Sequence, residues 1–147
     1  MQYSKRISLS LCLALLVIAA GCKAKTANDT VGTTGTATVK VTDVALGRSV
    51  GTDKAIADRT DNFKPNDTIY ASVETNGTAP NATLRAKWTF QDGQVVDEST
   101  RAIAPNARER TEFHISKPDG WPAGKYKVEV FLNDQPADSK TFEVGAR

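Results

Sequence analysis

The stretch "ATLRAKWTFQDGQVVD", residues 82–97, decides how this chain is read. Leu84, Ala86, Trp88 and Phe90 alternate with Arg85, Lys87 and Thr89. Successive side chains of a β-strand point to opposite faces, so this period of two marks a strand with one buried and one wet face. Asp92-Gly93 then interrupts the pattern. A two-residue type I′ turn needs positive φ at both positions, which Asp-Gly tolerates, so the stretch predicts a β-hairpin. That register sets Phe90 opposite Val95.

The same alternation recurs outward in both directions. Val39 and Val41 share one face of "VKVTDVAL", and Ile69, Ala71 and Val73 share one face of "DTIYASVET". Phe113 and Ile115 point inward in "TEFHIS", as do Tyr126, Val128, Val130 and Leu132 in "KYKVEVFL" and Phe142 and Val144 in "KTFEV". Pro65, Pro80, Pro105, Pro118, Pro122 and Pro136 fall between these runs, where a missing N–H costs no ladder hydrogen bond. No segment has the 3.6-residue period of an amphipathic helix. Seven or eight short strands in about 110 residues predict an all-β, antiparallel β-sandwich over 38–147.

The N-terminus is of another kind. Lys5-Arg6 precede an apolar run from Ile7 to Ala20, which ends at Gly21-Cys22. A membrane-spanning helix needs roughly 20 apolar residues, and this run is shorter, as in the core of a signal peptide. Ala19-Ala20-Gly21-Cys22 resembles the bacterial lipobox, with Ala19 where leucine is usual. The resemblance implies that residues 1–21 are a signal peptide and that the Cys22 thiol receives a diacylglycerol. Cleavage before Cys22 and acylation of its new amine would follow, and several acyl chains anchor stably where one does not. Lys23 stands where an aspartate would resemble an inner-membrane retention signal, so the expected location is the outer membrane, facing the periplasm. Residues 22–37, rich in Thr, Ala and Gly, read as the lipidated cysteine and a flexible tether.

Removing the signal changes the arithmetic. The chain has 19 Lys+Arg and 17 Asp+Glu. Lys5 and Arg6 leave with the signal, so the remainder is balanced and carries no global charge that suggests nucleic acid. The two cysteines are Cys12, in the discarded run, and Cys22, so no disulfide is expected in the domain.

The domain also resembles the immunoglobulin-like sandwiches of bacterial envelope lipoproteins. Trp88 lies inward on the third main strand, where such folds place a core tryptophan. "GWPAGKYKVEVFLNDQ", residues 120–135, resembles their penultimate strand and its turn, with Tyr126 as a tyrosine-corner candidate. The cysteine pair of antibody domains is absent. The likeness implies fold, and fold alone does not carry function.

Little catalytic chemistry is legible. His114, the sole histidine, is flanked by inward Phe113 and Ile115 and should point to solvent. No Gly-x-Ser-x-Gly occurs, and no second histidine could complete a zinc site. Asp53, Asp58, Asp61 and Asp67 are interleaved with Lys54, Arg59 and Lys64 and lack calcium-loop spacing. They read as a solvated connection, though its length from Gly47 to Asn66 marks it as a possible functional loop. No metal or cofactor is expected. Four Asn-x-Thr triplets, at Asn28, Asn66, Asn76 and Asn81, read as turn and strand-edge residues.

One surface is a candidate binding face. If the third strand neighbours the penultimate one, Arg85 and Lys87 lie beside Lys125 and Lys127, with Phe131 on the same outward phase and Glu129 and Glu143 sharing the face. The expected function is a non-catalytic protein-interaction or structural module with an envelope protein partner. The alternative is a binder of an anionic envelope lipid or glycan, and a hydrolase is the remote third.

Overall fold

A computed structural model of the chain describes residues 38–145. The expectations for residues 1–37, including lipidation of Cys22 and the tether, lie outside the described residues. Eight strands follow in order: β1 Lys40–Gly47, β2 Asn62–Phe63, β3 Ile69–Asn76, β4 Ala82–Phe90, β5 Gln94–Ile103, β6 Glu109–Ile115, β7 Gly124–Leu132 and β8 Gln135–Val144. They form a three-stranded sheet, β1-β3-β6, and a five-stranded sheet, β2-β8-β7-β4-β5. The pairings are antiparallel apart from β2 with β8, which is parallel. This is the expected immunoglobulin-like sandwich.

The inward phases of the strands meet in one core. Val44, Leu46, Ile69, Ala71, Val73, Phe113 and Ile115 come from the smaller sheet. Leu84, Ala86, Trp88, Tyr126, Val128, Val130, Phe142 and Val144 come from the larger one, and Trp88 is completely buried. Phe142 anchors an aromatic cluster, stacked on Tyr126 at 5.2 Å and edge-on to Trp88 at 5.9 Å and Phe63 at 5.4 Å. Offset and edge-to-face pairs of this kind add to the stabilisation from buried area. The Tyr126 hydroxyl donates to the Pro122 carbonyl at 2.8 Å, which makes the tyrosine corner. Burial raises the pKa of this phenol.

Pro136, expected between strands, lies in β8 opposite Phe131 beside a bulge, and two further details of the sequence reading change. The expected two-residue turn at Asp92-Gly93 is a three-residue loop, 91–93, with φ of 45° at Gln91 and 97° at Gly93. The register that sets Phe90 opposite Val95 holds lower in the ladder, as Lys87 opposite Glu98 and Trp88 opposite Asp97. Nearer the tip the ladder shifts by one, pairing Thr89 with Val95 and Phe90 with Gln94. Val96 is the extra residue of this bulge. The Gln91 N–H donates to the Lys125 carbonyl, so Gln91 is engaged with β7.

The second change is in β1. Val41 points inward as expected, but a bulge between Val41 and Asp43 moves the inward phase to Val44 and Leu46. A one-residue insertion in one strand exchanges the two faces beyond it.

The connection from Gly47 to Asn66 is ordered by short-range bonds. Gly47 bridges Arg59, Val50 bridges Ile56, and β2 then crosses to the larger sheet to pair with β8. A Cβ on Gly47 would sit 2.3 Å from the Asp58 carbonyl oxygen, so only glycine fits there. Arg48 gathers the segment, donating to Asp67 at 2.9 Å, Asp58 at 3.2 Å and the Asn62 carbonyl, with its guanidinium over the Phe63 ring.

Candidate functional site

The candidate face is the outer surface of β4, β7 and their neighbours. β4 does pair with β7, setting Arg85 opposite Phe131, Lys87 opposite Glu129 and Thr89 opposite Lys127. On the far side of β7, Lys125 stands opposite Glu143. On the far side of β4, Lys87 stands opposite Glu98. The four cations therefore share a face, each with a carboxylate opposite or within reach. The surface alternates in charge and is not a continuous positive stripe.

Arg85 and Phe131 are the most organised pair on it. The guanidinium carbon lies 4.0 Å from the Phe131 ring centroid. Its Nη1 donates to Glu98 at 3.3 Å and its Nε to Asp134 at 3.3 Å. An arginine stacked on an aromatic ring and held by carboxylates on two sides has little rotamer freedom left to lose on binding. Lys127 bonds Glu129 at 2.9 Å on its own strand. Among the described residues, Lys87 and Lys125 are the members of the set without an ion pair.

Asp134 and Glu98 are the parts that sequence reading missed. Asp134 sits in the β7–β8 turn, where Asn133 and Asp134 have φ of 50° and 62° and Leu132 pairs with Gln135. That is the two-residue I′ geometry expected at Asp92-Gly93, one hairpin further along. "NDQ" between two alternating runs was the available signal. Asn133 fixes the turn to β4, exchanging bonds with the Thr83 backbone at 2.9 Å in each direction.

The other polar candidates are dispersed. His114 points to solvent from β6, with its Nδ1 2.5 Å from Glu112 and its ring 5.4 Å from Tyr70. Asp58 and Asp67 bond Arg48, while Asp53 meets Arg110 at 3.4 Å. Among the described residues no group of three or more His, Cys, Asp or Glu is arranged to hold a metal ion. Burial alone would raise the Asp67 pKa, but the Lys64 N–H and the Arg48 guanidinium outweigh it and hold the carboxyl below its usual range.

A surface hollow of about 360 Å³ lies at one end of the sandwich, lined by Phe90, Val95, Val96, Trp121 and Tyr126. Gln94 and Lys117 also line it, while the polar atoms of Trp121 and Tyr126 serve the chain itself. Trp121 Nε1 donates to the Asp67 carbonyl, and the Tyr126 hydroxyl is held at the tyrosine corner.

No protein-family model and no curated protein sequence matches the chain. Its fold is similar to that of the C-terminal domain of Wzt, with 12% identity, a TM-score of 0.50 and 74% of each chain covered. An immunoglobulin-like protein of Pseudomonas aeruginosa gives 16% identity and a TM-score of 0.48, over 75% of this chain and 98% of that one. The alkylpurine DNA glycosylase of Pseudomonas fluorescens gives 19% identity and a TM-score of 0.49, over 75% of this chain. The chain spans 31% of that glycosylase and 16% of a bacterial β-glucosidase that it also resembles. At these identities the likeness describes a fold.

Proposed function

We propose that this chain is an envelope lipoprotein, anchored through Cys22 at the outer membrane and facing the periplasm. Its immunoglobulin-like domain is a non-catalytic module that binds an envelope protein through the outer face of β4 and β7. The observation that carries this reading is Arg85, stacked on Phe131 and bracketed by Glu98 and Asp134. Arginine and aromatic residues are enriched where protein interfaces concentrate their binding energy, and a preorganised pair loses less entropy on docking. The interleaved carboxylates favour a protein with alternating charges over an anionic lipid or glycan, because they offset the positive potential such a ligand would seek.

Photo-crosslinkers placed at positions 85, 87, 125 and 127 of the chain in its own cells test this. One discrete protein adduct, weakened by Phe131→Ala, is the expected result. Adducts to lipid or glycan would establish the alternative, and no adduct at any position would remove this face from consideration. In the same cells Cys22→Ser should release the protein from the membrane fraction. Retention there would refute the anchor.

A further inference from the structure

The five-stranded sheet has two more strands than the three-stranded one, and β5 forms one of its edges. It is a terminal strand of its sheet and, among the described residues, pairs on one side alone, with β4. Most of its ten residues are exposed, with Val96, Ser99 and Ile103 partly covered. Asp97, Ser99 and Arg101 lie on the core-facing side, opposite Trp88, Ala86 and Leu84. Because Asp97 and Arg101 stay exposed and Ser99 is only partly covered, polar side chains are tolerated there. Arg101 reaches over the Phe113 ring at 6.0 Å. The other long edge of β5 is a row of backbone donors and acceptors.

We propose that β5 is a self-association edge. Two copies pair β5 with β5, antiparallel, about a two-fold axis through Ser99, and merge their sheets into one. Centred on Ser99, the pairing sets Asp97 against Arg101 of the second copy and Arg101 against its Asp97. It also sets Glu98 against Thr100. Symmetry makes each match twice. The two-fold requires residues on the same face to meet, so the centre moves one residue at a time. Centring on Glu98, Asp97 or Arg101 puts a charge against its own copy. Centring on Thr100 puts Asp97 against Ile103 and Ser99 against Arg101. Among these registers, Ser99 alone pairs both opposite charges. Charges on an edge strand ordinarily block pairing with other chains. Here they select one register and one partner, a second copy of this chain.

The test uses the full chain in a neutral detergent, followed by sedimentation over a concentration series. The wild type should show a concentration-dependent dimer. Asp97→Arg and Arg101→Asp each turn two attractive pairs into two repulsive ones, so each should weaken dimerisation by about tenfold or more. The double swap should restore it, and an equimolar mixture of the two single variants should form the heterodimer. Asp97 stands opposite Trp88, so fluorescence of the variants checks that the core is intact. Ser99→Cys gives a second readout, since an oxidised full chain should form a covalent homodimer that the exposed Ser49→Cys does not. Three results would each overturn the proposal: a wild-type monomer throughout, single variants that dimerise like wild type, or a Ser99→Cys chain that crosslinks no faster than the Ser49→Cys chain.

Discussion

Trp88 carries the core and an unmet bond together. It is fully buried, and its Nε1 has no hydrogen-bond partner among the described residues. An orphaned buried donor costs stability, whereas removing it costs little beyond the lost contacts. Trp88→Ala should therefore destabilise by about 3–5 kcal/mol, the usual range for deleting a buried aromatic. Trp88→Phe should cost less than about 1.5 kcal/mol, because it deletes the orphan with the smaller ring. Chemical denaturation of both variants measures the difference. Asp67 works at the same scale. Its pKa is depressed in the fold, so its contribution is present above the unfolded value and is lost as pH falls through the folded one. Asp67→Asn should cost about 1 kcal/mol at neutral pH, a modest figure because Arg48 is partly exposed. The two stability curves should converge below about pH 4 in acid titrations followed by fluorescence. The tryptophan was legible in the sequence as an inward residue on an alternating strand. Arg48 was not, since its partners Asp58, Asn62 and Asp67 meet it only once the segment after β1 folds back.

Strands were easier to read than their irregularities. Alternation located the main strands because burying one face of a sheet forces a period of two on the residues. The bulges in β1 and β5 left no such trace, because an extra residue is defined by the partner strand opposite it. The outward phase of β4 and β7 likewise placed Arg85, Lys87, Lys125, Lys127 and Phe131 on one face. That Glu98 reaches Arg85 depends on the β5 register, and that Asp134 does depends on the β7–β8 turn. This turn makes a prediction. Asn133-Asp134 places two non-glycine residues at positive φ, and the I′ turn prefers Asn-Gly. Asp134→Gly should stabilise the domain by about 0.5–1 kcal/mol, read from the thermal midpoint. It should also loosen Arg85, because one of the two carboxylates that hold it is gone. Higher stability with weaker crosslinking from position 87, where Arg85 is intact, would separate the scaffold from its binding role.

At the scale of the molecule, stability rests on burial. No cysteine lies among the described residues, so a reductant has no disulfide there to break. Thermal unfolding should therefore give the same midpoint with and without dithiothreitol, and a shift of several degrees would mean that a cysteine elsewhere in the chain couples to the fold. The all-β architecture was legible from end to end because it follows from repeated local patterns. The partner was not legible, because a binding surface is defined by what it meets. The position of β8 has one more consequence, which concerns time. This ten-residue strand lies between β2 and β7 and brings Phe142 and Val144 into the core. While a ribosome is still making residues before 135, β7 has an open side, β2 has nothing to pair with, and the Tyr126 ring lacks the neighbour on which it stacks. The nascent chain therefore cannot close its sandwich early. The larger sheet is completed only after β8 has left the ribosome, so folding of the sandwich waits on a strand made after all those it joins.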